Sequence, residues 1–133
     1  MNGLHPTVRY LIACEEILAD PANPNRITLV ALVSTIRSLA KPPFPFRYPE
    51  LCVFVQLTEC RGPADCRIEL AHADSGQVLF QTQTRRIPFP GDPLEVVGLS
   101  FRLRNCLFSE PGLYGIQFWY NDTMIAQHPL LVR

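Results

Sequence analysis

The chain has no net charge: 12 lysines and arginines are matched by 12 aspartates and glutamates. A protein without a global field has nothing to draw nucleic acid or an anionic membrane toward it, so neither is expected as a partner. The same balance leaves little repulsion between copies and favours self-association. Long apolar runs are missing too, and none approaches the roughly 18–20 residues that span a bilayer as a helix. The start, Met1 to Pro6, has no basic stretch followed by an apolar core, so no secretory signal is read and a cytoplasmic location is expected.

Chemistry is equally sparse. The five cysteines, Cys14, Cys52, Cys60, Cys66 and Cys106, are odd in number and lack the close pairs of a structural zinc site. Free thiols acting as small buried hydrophobes are expected; a Cys60–Cys66 pair oxidising across the turn is the minor alternative, disfavoured in a reducing compartment. The seven glycines form no phosphate-binding loop, and there is no G-x-S-x-G. None of His5, His72 and His128 sits in a nucleophile motif. Glu15 and Glu16 are adjacent, so they diverge and cannot act together on one substrate. No catalytic residue, cofactor or metal is expected, and the chain is not expected to be an enzyme.

What the sequence does have is 47% hydrophobic residues, enough for one core, and 13 prolines that cut 133 residues into short segments. Proline ends helices and interrupts strand ladders, so the segments between are expected to be strands. Residues 8–18 also fit a helical stripe, but the β-branched stretch 27–36 that follows favours a long hairpin. That second strand is apolar on both faces, so it is expected to be central or to lie under another surface. Further strands are expected over residues 51–58, with Leu51, Val53, Val55 and Leu57 inward, and over 67–73, 78–85 and 97–103. A turn at Ser109 to Gly112, an alternating run (Tyr114, Ile116, Phe118, Tyr120) and an Asn121-Asp122 break predict a closing hairpin. This gives one domain over residues 1–133: an all-β, antiparallel sandwich of about eight strands, immunoglobulin- or C2-like in shape.

Three stretches together resemble a family of small bacterial proteins known only as a domain of unknown function. They are the opening strand pair, residues 9–36; Phe44 to Glu50 leading into Leu51 to Leu57; and Phe108 to Tyr114 with the trailing hairpin. The resemblance spans nearly the whole chain and implies no reaction, ligand or site. A weaker similarity is to immunoglobulin-like domains, where Glu110, Gly112 and Tyr114 match the start of strand F. Ile116 stands where those domains usually place a cysteine, so no antibody-type disulfide is implied, but a corner tyrosine is.

Two surfaces carry unassigned apolar side chains. With the odd-numbered residues of 51–57 inward, Phe54 points out, and with Tyr114 to Tyr120 alternating inward, Leu113 and Trp119 point out. Phe54, Leu113 and Trp119 are the candidate interface, either for a protein partner or a homodimer, unless a proline-rich loop covers them. The loops at residues 39–50 and 87–93 carry Phe44, Phe46, Tyr48 and Phe89, which suit a sugar or apolar ligand if they gather at one end. Arg67, Arg85, Arg86, Arg102 and Arg104 are read as a solvated, salt-bridged face rather than a nucleic-acid surface.

Overall fold

The computed structural model describes residues 5–89 and 91–133, which contain strands and no helix. Residues 1–4, most of the start that carries no secretory-signal pattern, and Pro90, one of the chain breakers, lie outside the described residues. The strands are β1 (Thr7–Asp20), β2 (Asn23–Leu32), β3 (Thr35–Ile36), β4 (Phe46–Thr58), β5 (Ala64–His72), β6 (Val78–Gln81), β7 (Arg85–Ile87), β8 (Val97–Phe108), β9 (Gly112–Tyr120) and β10 (Thr123–Val132). Sheet A has the order β2-β1-β4-β8, and sheet B the order β3-β10-β9-β5-β6, with β7 also on β5. All pairings are antiparallel except the short parallel one between β3 and β10.

Ten strands replace the expected eight for local reasons. The segment 78–85 breaks at Thr82, whose hydroxyl accepts from the Ile68 amide in place of a ladder carbonyl. The segment 27–36 breaks where the chain leaves sheet A for sheet B, and β3 joins the far side of β10. The second half of the proline-rich stretch, from Phe46 on, is not loop but the start of β4, in register with the end of β8.

The two sheets face each other across one core. Leu51, Val53, Val55 and Leu57 of β4 and Leu99, Phe101 and Leu103 of β8 meet Ile68 and Leu70 of β5 and Tyr114, Ile116 and Phe118 of β9. Phe101 and Phe118 touch across the gap with ring centroids 6.3 Å apart, and Phe108 meets Tyr114 edge-on at 5.1 Å. The alternation expected for residues 51–58 and 97–103 holds, but it does not continue to the far ends of β4 and β8. At Asn105 the backbone takes a left-handed turn (φ 55°), so Cys106 and Phe108 point inward where strict alternation would put Leu107. Pro49 lies opposite Asn105 by register, and there β4 exchanges faces as well, bringing Phe46 and Tyr48 onto the core.

Two expected turns are present. Asn121 and Asp122 both have positive φ, the backbone of a type I′ hairpin whose twist matches its flanking strands. The Tyr114 hydroxyl donates to the Glu110 carbonyl at 2.6 Å, pinning the corner between β8 and β9. Tyr114→Phe is expected to lower unfolding free energy by about 1–1.5 kcal/mol with the denaturant slope unchanged, as measured by urea titration.

Candidate functional site

The outer face of sheet A is built in rows by its register. Tyr10, Gln56 and Gly98 form one row, Ile12, Phe54 and Ser100 the next, then Cys14, Cys52 and Arg102. Beyond them Glu50 lies between Arg102 and Arg104, at 3.9 and 3.8 Å. The face thus grades from apolar and aromatic to charged along the strand direction.

A hairpin arm leans over the apolar end. β1 pairs with β4 only from Thr7 to Cys14; beyond that it pairs only with β2. Opposite this departure Ala31 has φ 57°, a left-handed conformation that bends the arm away from the sheet plane. A Cβ placed on Gly98 would sit 3.0 Å from Phe54 Cε1 and 3.7 Å from Ile27 Cδ1. The Phe54 ring therefore fills the space above Gly98, and Ile27 reaches the same spot from the arm.

Between arm and sheet runs an open groove of about 920 Å³, floored by Phe54 and walled by Tyr10, Ile12, Ile27, Leu29 and Val96, with Gln56 and Glu95 as polar points. Phe54 is nearly covered at 7% exposure, whereas Tyr10 and Val96 on the walls are 52% and 55% exposed. The cover on Phe54 is thus the β1–β2 arm, not a proline-rich loop. β2 is neither central nor buried: it is the edge of sheet A, and its two apolar faces serve the groove on one side and solvent on the other.

The other two interface candidates lie on the opposite surface of the molecule, so the three do not form one patch. Trp119 is on the outer face of sheet B beneath Arg67, whose guanidinium is 4.6 Å from the ring centroid. Arg67 also binds Glu69 at 2.7 Å and Asp122 at 3.1 Å, and the Trp119 indole donates to Gln117, which donates to Gln127. Gly115 keeps that lattice in place, because a Cβ there would fall 2.8 Å from Gln127 Cδ. Leu113 is half exposed and is separated from Trp119 along β9 by Gly115 and Gln117.

The aromatic loops do not gather either. Phe46 stacks on Phe108 at 6.3 Å and packs edge-on against Phe44 and Tyr48, all against the core. Phe89 is buried beside Tyr120 at 6.4 Å. Phe108 meets Tyr114, and Tyr114 and Tyr120 lie six residues apart on β9, roughly 20 Å at the rise of a strand. Among the described residues the two loops therefore lie at opposite ends of β9, too far apart to line one pocket.

Arg85 and Arg86, the other two arginines of the expected basic face on this side, are engaged. Arg85 lies over Phe101 and donates to the Ser100 carbonyl, and Arg86 pairs with Asp65 at 3.3 Å. His72 meets Glu110 at 3.1 Å, but the Asp74 amide donates to its Nδ1, so both ring nitrogens are occupied and the pair ties β5 to the β8–β9 corner. Among the described residues no three His, Cys, Asp or Glu side chains gather as metal ligands would.

All five cysteines are buried free thiols. Burial pushes Cys66 up to about 12 and Cys106 up to about 11 from the ordinary 9.0. Cys60 is raised by burial as well. Sequence reasoning missed the pairing of Cys14 with Cys52, since register is not readable from one strand alone. It also missed the groove, although the two apolar faces of β2 were the signal for it.

Fold and site define the class: an all-β protein of two packed sheets, with an apolar groove beneath a hairpin arm. Over residues 16–133 the chain matches, and belongs to, a family of unknown function (DUF6941). No curated protein matches it. Among solved structures it is similar to the Pseudomonas fluorescens alkylpurine DNA glycosylase AlkC bound to DNA containing an abasic site analog (10% identity, TM-score 0.45). A second is the beta-D-glucoside glucohydrolase from Trichoderma reesei (10% identity, TM-score 0.47). The alignments cover 92% and 100% of this chain but only 30% and 19% of those proteins, so neither activity carries over. Among the described residues no helix is long and apolar enough to cross a membrane.

Proposed function

We propose that this protein is a non-catalytic interaction module of the cytoplasm, an immunoglobulin- or C2-like sandwich that binds a protein partner or a second copy of itself. The binding surface in this reading is the groove on sheet A, not the Trp119 face. One observation carries it: Tyr10, Ile27 and Val96 are exposed around the nearly covered Phe54, beside β2, an edge strand of sheet A. Apolar side chains clustered around a concavity are the usual anchors of an interface, and edge strands are where partner strands are added. The immunoglobulin-like assignment is supported by the Tyr114 corner bond. Neither nucleic acid nor membrane is part of this reading.

Light scattering over a wide concentration range, with a pull-down from native lysate, tests it. Val96→Asp places a charge on an exposed groove wall and is expected to weaken association at least tenfold. Trp119→Ala, on the far sheet, is expected to leave association unchanged. A strictly monomeric protein without a captured partner, or one released by Trp119→Ala rather than Val96→Asp, removes the proposal. The groove is also within the size range of small-molecule sites. A ligand-induced rise in melting temperature abolished by Val96→Asp, without association, would move the reading to an apolar-ligand binder.

A further inference from the structure

We infer that Cys14 and Cys52 form a reversible cross-strand disulfide that locks the base of the β1–β2 arm to sheet A. The two are direct partners in the antiparallel ladder between β1 and β4, both on the outer face. Directly opposed residues in such a ladder have Cα atoms about 4.5–5.5 Å apart, within the range a disulfide spans. Both side chains are fully buried and free, and neither belongs to the core between the sheets.

Their present bonds give the pair a consequence. The Cys14 thiol donates to the Glu16 carbonyl at 3.4 Å, and the Cys52 thiol to the Glu15 carbonyl at 3.5 Å. These carbonyls lie just where β1 leaves β4, opposite the left-handed Ala31. The Cys52 thiol thus reaches from β4 to β1 at the base of the arm, whereas the Cys14 contact stays within β1. A disulfide has no S–H, so oxidation gives up both S–H contacts and replaces them with a covalent tie between β1 and β4 at the base of the arm. Glu16, Glu50 and Arg102 are the charged groups facing Cys52.

The oxidant is a small disulfide of the glutathione type. The thiolate of one cysteine attacks a sulfur of the small disulfide, making a mixed disulfide and expelling one small thiolate. The second cysteine's thiolate then attacks the protein-bound sulfur and expels the other. Two protein thiols become one disulfide, and their two protons and two electrons end on the two small thiols. Burial keeps both thiols protonated and covered, so the reaction awaits movement of the arm.

The test equilibrates the purified chain in buffers of varied reduced-to-oxidised glutathione ratio, quenches with acid, alkylates in denaturant and maps peptides by mass spectrometry. The expected result is a Cys14–Cys52 link, two hydrogens lighter than the dithiol and reversed by dithiothreitol, while Cys60, Cys66 and Cys106 are alkylated. Alkylation of Cys14 and Cys52 at every ratio, or a Cys60–Cys66 link in their place, overturns the inference. Hydrogen exchange on the oxidised protein is expected to slow severalfold at the base of the arm, residues 14–16 and 30–32; quickened exchange there overturns the lock. The effect on binding rests on the groove being the functional surface. Loss of the link sinks this inference alone, whereas a link formed in a protein indifferent to Val96→Asp sinks the proposed function alone.

Discussion

Phe118→Ala is expected to lower the unfolding free energy by about 3–5 kcal/mol, on the order of 10–20 °C in melting temperature. Phe118 is fully buried at the centre of β9, between Ile68 of β5 and Ala126 of β10 by register, and it meets Phe101 of the opposite sheet. Removing the ring takes away apolar contact on both sheets at once. The strands cannot close the gap without breaking ladders on either side, so most of the cavity persists. Because whole domains are held by only about 5–15 kcal/mol, the variant is expected to be partly unfolded at 37 °C. Calorimetry or urea titration measures the loss. A change under 1 kcal/mol would mean that the two sheets do not share the core described here.

Alkaline pH is expected to have an effect of similar size. The folded state holds Cys66 at about 12 and Cys106 at about 11, against the ordinary 9.0 that applies once the chain unfolds. Above pH 9 the unfolded chain releases protons that the folded chain keeps. The stabilisation is therefore complete below 9 and is lost as pH rises, through about 11 for Cys106 and about 12 for Cys66. Each thiol removes about 1.4 kcal/mol per pH unit in that window, so the two together remove about 3 kcal/mol by pH 10. Cys14, Cys52 and Cys60 are shifted the same way by burial, as are Tyr48, Tyr114 and Tyr120 at higher pH. Urea midpoints measured from pH 7 to 10 follow the trend, and Cys106→Ala is expected to flatten it by about one thiol's share. A profile flat to pH 10 would show that the thiols are not held dry.

Much of the fold was legible because alternation is a local signal. Leu51 to Leu57 and Tyr114 to Tyr120 report their buried faces without knowledge of any partner, and Asn121-Asp122 reports its turn through backbone preference alone. Legibility ends where a face changes within a strand. The exchange at Pro49 and Asn105 depends on a left-handed residue opposite a proline, and only the register reveals that they are opposite. For the same reason Phe46 and Tyr48 passed as loop aromatics free to bind, although the core absorbs them. The candidate site was half legible. Phe54 was correctly placed on the outside of β4, but what lies above it belongs to a strand nearly thirty residues earlier. Cys14 and Cys52 sit 38 positions apart, and no spacing rule joins them before the ladder does.

The lattice around Trp119 has an optical consequence. It is the chain's sole tryptophan, fixed against a cation and a hydrogen-bonded amide on the sheet opposite the groove. Its emission therefore reports on sheet B alone. A ligand settling on Phe54 should leave the spectrum still unless the disturbance travels through the Phe101–Phe118 contact, so fluorescence here distinguishes a local event from one transmitted across the molecule.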